Sequence, residues 1–312
     1  MAPEKILITG ANGQIGTVLA KALSEKHGSD RILTTDLRPA THALLPFAAL
    51  DILDADRLEW LIREHGITTI YHLAAILSAK GEQDPALAWQ VNMDGWFNVL
   101  EPARKYGLKV FFPSTIAVFG DHIPREGTPQ HVPLQPTTVY GISKVGGELL
   151  GAYYHANYGV DVRSLRYPGI IGYESLPGGG TTDYAVEIFH HALAEQRYTC
   201  FLSAETRLPM MYMADAVRAT LMLMEAPSEN IRVRTAYNIA GMSFSPEEIA
   251  AAIQKHIPDF QITYSPDFRQ KIAESWPASI DDTEARQDWG WRPMYDLEAM
   301  TEDMIKHLSI TA

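Results

Sequence analysis

Cysteine is nearly absent from the 312 residues: Cys200 stands alone. One thiol closes no internal disulfide and excludes a cysteine-rich zinc site. Positive charge is also short, with 26 Lys and Arg against 38 Asp and Glu, a net −12. Nucleic acid and anionic membranes select basic patches, so neither is an expected partner. An anionic small substrate stays compatible, because a local site can oppose the global charge. No run approaches the ~18 apolar residues of a membrane span. The start, "MAPEKILITGANG", lacks the basic segment and apolar stretch of a secretory signal. A reducing cytoplasm is the expected compartment. No H-E-x-x-H occurs, and His190 and His191 are adjacent, so on a helix they point about 100° apart. No metal is expected. There is no internal repeat, low-complexity tract or Ser/Gly-rich linker.

What is present is an alternation. "KILITG", "RILTTD", "FAALDI", "TTIYHLAA", "LKVFFPST" and "DVRSLRYPG" read as strands. Between them lie helical patterns: "QIGTVLAKALSEKHG", "ADRLEWLIREHG" and "DPALAWQVNMDGWFNVLEPARKYG", the last as one long helix opened by Asp84-Pro85. A fourth holds "PTTVYGISKVGGELL". The alternation predicts an α/β fold, a Rossmann-type doubly wound parallel sheet. After Gly169 the rhythm breaks, which predicts a smaller mixed C-terminal lobe packed on the sheet. Within that lobe, "SPEEIAAAIQKHI" reads as a helix with Ser245 and Glu248 as a capping box.

"ILITGANGQIG" sets Gly10, Gly13 and Gly16 after a strand and at a helix start. Glycines let backbone approach a pyrophosphate, and the helix N-terminus faces it. Asn12, Gln14 and Ile15 complete that turn. Asp36 ends the next strand, placed to accept hydrogen bonds from the adenosine ribose. Its charge repels a 2′-phosphate, so NAD is expected over NADP, although Arg38 leans the other way. Leu37 and Arg38 flank the same nucleoside. Asp51 and Ile52 border the adenine, or Asp51 is an ordinary loop acid. Leu73, Ala74 and Ala75 let cofactor lie on the backbone, or pack the core. The expected division is residues 1–170 plus about 209–240 for NAD, and about 171–208 plus 241–312 for substrate.

Tyr140 and Lys144 are one turn apart and share a helix face. A neighbouring ammonium favours phenolate and lowers tyrosine from its usual value near 10. Such a tyrosine serves as general base toward an alcohol. Ser114 and Thr115 end the preceding strand, where their hydroxyls can meet a substrate oxygen. Gly141, Gly146 and Gly147 each weaken the helix by about 1 kcal/mol relative to alanine. Something must therefore lie close to it, cofactor or a partner helix. Further on, "PGGGTTDYA" places Gly178, Gly179 and Gly180 before Thr181 and Thr182 at a helix start. Backbone N–H groups and hydroxyls there suit a carboxylate, or a threonine caps the helix.

These motifs, with "HLAA", "RYPG" and "DDTEARQDWGWRP", resemble the extended short-chain dehydrogenase/reductases, the UDP-galactose 4-epimerase-like group, over nearly the whole chain. "STIAVFG", "RYPGIIGYESLPGGGTTDYAVEIFHHAL" and "LPMMYMADAVRATLMLMEAP" resemble more narrowly the short-chain, metal-free type of L-threonine 3-dehydrogenase. The resemblance implies oxidation of the L-threonine β-hydroxyl to 2-amino-3-oxobutyrate with NAD. It gives Tyr140 the base role and has Lys144 hold the nicotinamide ribose. Ser114 and Thr115 would bond the reacting oxygen, and Ser78 and the glycine–threonine loop would contact substrate. Asn92, Tyr167, Pro168 and Ile170 would border the cofactor. It also implies a homodimer through about Pro85–Tyr106 and Val139–Tyr158, where Leu149, Leu150, Tyr153 and Tyr154 fit an interface or burial on the sheet. A UDP-sugar 4-epimerase and a non-catalytic NAD sensor are the rival readings.

Overall fold

The computed structural model describes residues 4–39, 45–176, 178 and 180–311. Its strands are β1 Ile6–Thr9, β2 Ile32–Asp36, β3 Phe47–Ala49, β4 Thr69–His72, β5 Lys109–Thr115, β6 Asp161–Tyr167, β7 Gly169–Ile171, β8 Arg197–Cys200, β9 Leu208–Tyr212, β10 Tyr237–Asn238, β11 Met242–Phe244 and β12 Gln261–Tyr264. The helices that matter here are α1 Gln14–His27, α2 Ala55–His65, α3 Ser78–Gln83, α4 Pro85–Trp89, α5 Gly95–Tyr106, α6 Val139–Tyr158 and α7 Tyr184–Glu195.

A seven-stranded sheet runs in the order β10-β6-β5-β4-β1-β2-β3. β1 pairs in parallel with both β2 and β4, β2 with β3, and β4 with β5. Chain order reverses at β1, with β2 on one side and β4 on the other. Ligands of open α/β sheets bind at that reversal, beyond the carboxyl ends of the strands. The expected Rossmann-type sheet is thus present.

Two compact units divide the chain. The first comprises Met1–Thr115, Pro136–Arg166 and Thr220–Tyr237, and the second Ile116–Gln135, Tyr167–Ala219 and Asn238–Ala312. The first packs Leu7, Ile70, Val110, Phe112, Trp96 and Val162 into one buried cluster. Its helices obey local rules. Asp54 caps α2 by accepting from Arg57 N at 2.9 Å, and Gly66 closes it in the left-handed region. Thr138 caps α6 through Gly141 N at 3.1 Å, and Gly159 ends it.

One element differs from the sequence reading. Residues 84–107 do not form a continuous α-helix: a π-helical turn over Gln90–Asp94 separates α4 from α5. A π turn takes up an extra residue and commonly marks a functional position. Asn92 sits in it, buried.

In the second unit β9 is flanked by antiparallel β11 and parallel β7, while β8 and β12 form a separate parallel pair. The capping box at Ser245 and Glu248 forms as expected. Cys200 is buried. Among the described residues no helix is long and apolar enough to cross a membrane.

Candidate active site

The glycine turn after β1 is shaped by its neighbours. Gly10 has φ +67°, and a Cβ there would fall 2.7 Å from Ala74 N and 2.8 Å from the Leu73 carbonyl carbon. The "HLAA" backbone therefore presses on the turn, tied by Leu73 N to Thr9 O at 3.0 Å and Ala74 N to Thr9 Oγ1 at 3.3 Å. Ala75 follows, half-buried. A Cβ on Gly16 would lie 2.5 Å from Gly10 O, whereas one on Gly13 would meet only Gly10 O, at 3.2 Å. One side of the turn is packed and the Gly13 side is open. Gly13 begins α1 with no capping side chain and no acid in the first turn, where Gln14 and Ile15 stand. That end presents unsatisfied N–H groups and a positive dipole, the chemistry a pyrophosphate needs.

Asp36 stands beside the turn. Its Oδ2 accepts Asn12 N at 3.0 Å and its Oδ1 accepts Arg38 N at 3.3 Å; Asn12 Nδ2 donates to Arg38 O at 2.7 Å. Each carboxylate oxygen keeps a lone pair for a hydroxyl donor. Leu37 is 68% exposed next to it. These residues fit an adenine dinucleotide. Asp51 Oδ1 accepts Leu53 N at 3.0 Å, which both readings of this residue allow. Ile52 is buried against Gly95 and belongs to the core cluster.

The end of β5 meets α6 in a ladder. The Thr115 side chain hydrogen-bonds the Tyr140 hydroxyl. Lys144 Nζ donates to Pro113 O at 2.7 Å. Ser114 Oγ donates to Glu148 Oε1 at 2.5 Å. Tyr140, Lys144 and Glu148 are successive turns of one helix face, and their partners are three consecutive strand residues. The two hydroxyls that looked equivalent in sequence are thus distinguished. Ser114 has its single proton on Glu148, while Thr115 addresses Tyr140.

The electrostatics differ from the sequence expectation. Desolvation pushes the Tyr140 hydroxyl up to about 12, against the Thr115 hydrogen bond, which lowers it. Lys144 is not what sets that value. Its ammonium is buried, lies 4.5 Å over the Phe112 ring and 5.7 Å from the Tyr140 centroid, and is itself brought down to about 7 by desolvation, with Glu148 opposing. His72, bonded to Thr9 Oγ1 through Nδ1 at 2.9 Å, is pushed down to about 3 by burial and by Lys144. It stays neutral and stacks on Trp96.

Three glycines of α6 have their neighbours within this chain. A Cβ on Gly147 would stand 2.3 Å from Phe112 Cζ, one on Gly146 3.1 Å from Met93 Cε, and one on Gly151 2.9 Å from Val162 Cγ1. What lies close to the helix is its own sheet and the π turn. Asn92 braces the same region: Oδ1 accepts Ile76 N at 2.8 Å, and Nδ2 donates to Ile76 O at 3.0 Å and Ser143 Oγ at 3.1 Å. Ser78 is buried at the first position of α3.

In the second unit Tyr167 and Pro168 are buried, and Ile170 pairs with Met211 across β7 and β9. Helix α7 begins after Asp183, so neither Thr181 nor Thr182 is its cap. Thr181 is buried, and Thr182 packs on Gly169, where a Cβ would fall 2.6 Å from its methyl. Gly180 N donates to Asp183 Oδ2 at 2.7 Å. Gly179 lies outside the described residues. Sequence reasoning missed Glu148 and Arg166; a Glu at the third position of the Tyr-x-x-x-Lys-x-x-x-Glu spacing was the available signal.

Residues 6–240 match the NAD dependent epimerase/dehydratase family. The mitochondrial L-threonine 3-dehydrogenase of Bos taurus is 49% identical over 306 residues, covering 97% of this chain and 82% of that protein. A solved GalE-like L-threonine dehydrogenase from Cupriavidus necator, in its holo form, is 55% identical with a TM-score of 0.96, covering 97% and 99% of the two chains. A monomeric L-threonine 3-dehydrogenase from a metagenome, in its apo form, is 51% identical with a TM-score of 0.96, covering 98% and 99%.

Proposed function

We propose that this chain, which belongs to the NAD dependent epimerase/dehydratase family, oxidises L-threonine at its β-hydroxyl. The observation that carries the reading is identity of about half the residues along nearly the full length with proteins named for that activity. The Tyr140–Thr115 contact supports it.

In this reading the Gly10–Gly16 turn and the N-terminus of α1 hold the pyrophosphate, and Asp36 takes the adenosine ribose hydroxyls. NAD, when bound, supplies the acceptor for the hydride of the β-carbon. Thr115 orients the Tyr140 hydroxyl, and Tyr140 Oη takes the proton of the substrate alcohol. Lys144, fixed on Pro113 O, holds positive charge beside the phenolate that Tyr140 must become. Ser114 supports Thr115 from behind through Glu148. Asn92 holds Ile76 and Ser143 in place, acting on the cofactor side through them. The second unit's loop through Gly180, Thr181 and Thr182 is assigned to the substrate carboxylate through its threonine hydroxyls, the Gly180 N–H being held by Asp183. Tyr167, Pro168 and Ile170 are assigned to the nicotinamide border.

Purified protein with NAD and L-threonine is expected to form NADH, with NADP a much poorer acceptor because of Asp36. UDP-galactose is expected to stay unchanged. No NADH with threonine, under conditions where NAD binding is verified, sinks the reading; epimerised UDP-sugar would replace it.

The homodimer is proposed through the helices of the first unit. Ile142, Leu149 and Tyr153 on α6, Phe97 on α5 and Trp89 on α4 are each 43–59% exposed. Leu150 and Tyr154 instead pack on the core. Leu149→Glu with Tyr153→Glu is expected to convert a dimer to monomer in sedimentation velocity. A parent protein that sediments as a monomer, as one relative's description would suggest, ends that proposal. The cytoplasm is the proposed compartment, checked by cell fractionation, since the bovine relative is named mitochondrial.

A further inference from the structure

We propose that Glu148 is a positioning residue of the reaction: with Arg166 behind it, it fixes the end of β5 against α6 and supplies the counter-charge of the Lys144 ammonium. The proposal rests on the reading of Tyr140 and Lys144 as the reacting pair.

Glu148 lies one turn beyond Lys144, and its side chain is fully buried. Arg166, from the adjacent strand β6, donates Nε to Oε1 at 2.9 Å and Nη2 to Oε2 at 2.8 Å. This two-point fork holds the carboxylate in one orientation. Oε1 also receives Ser114 Oγ at 2.5 Å. Ser114 is bonded to Thr115 by the chain itself, so a displacement of Glu148 is passed to the group that orients Tyr140. A buried ion pair with both oxygens engaged is costly to build and costlier to break from one side. Its placement beside a lysine and a tyrosine, rather than in an apolar layer, gives it a chemical use.

Lys144 needs such a partner. The groups around it are Tyr140 and Glu148 on its own helix, His72 on β4 and the Phe112 face, with Arg166 of β6 on the Glu148 carboxylate. His72 is neutral, and the Arg166 charge is met by the fork. Glu148 is the charge that opposes desolvation of the ammonium. With the pair holding one proton, the same carboxylate favours its residence on Lys144 over Tyr140.

Two variants test this. Glu148→Gln keeps an oxygen for Ser114 and removes the charge. Glu148→Gln with Arg166→Met leaves no unpaired guanidinium, and so serves where the single variant fails to fold. The first readout is the titration midpoint of the Lys144 side chain in NAD-free protein, followed by NMR of labelled lysine and identified with Lys144→Met. In Glu148→Gln the midpoint is expected to fall by about one pH unit or more, the size of effect an opposite charge one helical turn away exerts, and by less in the double variant, which also loses the Arg166 charge. The second readout is the pH profile of kcat, whose acid limb should move the same way, with about a tenfold lower plateau. A midpoint that stays in place in both folded variants overturns the proposal, since a merely structural Glu148 would change melting temperature alone. A moved midpoint in a protein inert toward threonine supports the Glu148 assignment and overturns the dehydrogenase reading.

Discussion

Tyr140→Phe is expected to lower threonine-dependent NADH formation by about 10³-fold or more while leaving NAD affinity nearly intact. General acid–base groups contribute about 10²–10⁴-fold. Phenylalanine keeps the ring and loses only the oxygen that Thr115 addresses. The pH dependence follows from the pair. Tyr140 is pushed up to about 12 and Lys144 brought down to about 7. Between those values the two groups together hold one proton. A phenolate beside an ammonium holds one proton as well, so the reactive form needs a transfer within the site and no further deprotonation to solvent. The sign is then fixed. Below about 7 the pair carries two protons and Tyr140 cannot accept a third. The rate should rise through the lower value and level off above it. Two assays decide the matter: initial rates across pH 6 to 9, numbers chosen to span about one unit or more around that value, and NAD titration of the mutant. A mutant retaining a tenth of parental activity would remove Tyr140 from the base role.

Much of this was legible because it is local. Alternating strand and helix patterns, the glycine fingerprint, Asp36 at a strand end and the Ser245 box each depend on neighbours within a few residues. The π turn at Gln90–Asp94 was not, since Asn92 owes its position to Ile76 and Ser143, 16 residues before it and 51 after. Gly147 shows the same limit. Its spacing announced a close approach, but Phe112 comes from a strand 35 residues earlier, and no periodicity names the partner. Ser114 and Thr115 were indistinguishable by type. Both side chains reach the same helix, and only the way the end of β5 is set against α6 decides which meets Tyr140 and which meets Glu148.

The second large effect concerns the turn itself. Gly10→Ala is expected to weaken NAD binding by about 100-fold, the scale on which displacing a positioned group by an ångström is felt. Two costs act at that position. The left-handed backbone at φ +67° costs a non-glycine residue roughly 1–2 kcal/mol. The new Cβ would also overlap the Leu73–Ala74 backbone, which is anchored to Thr9 by two hydrogen bonds and cannot yield as a flexible side chain does. Gly66 separates the two costs. It has φ +60° and nothing within 4 Å of an added Cβ. Gly66→Ala should therefore lower stability by roughly 1 kcal/mol and leave NAD affinity unchanged. Thermal melts and NAD titrations of both variants, read together, isolate the steric part. If Gly10→Ala lost only the stability that Gly66→Ala loses and bound NAD like the parent, the turn could not be where the pyrophosphate rests. If affinity falls at Gly10 alone, the close approach of the "HLAA" backbone to the turn is what shapes the cofactor's seat.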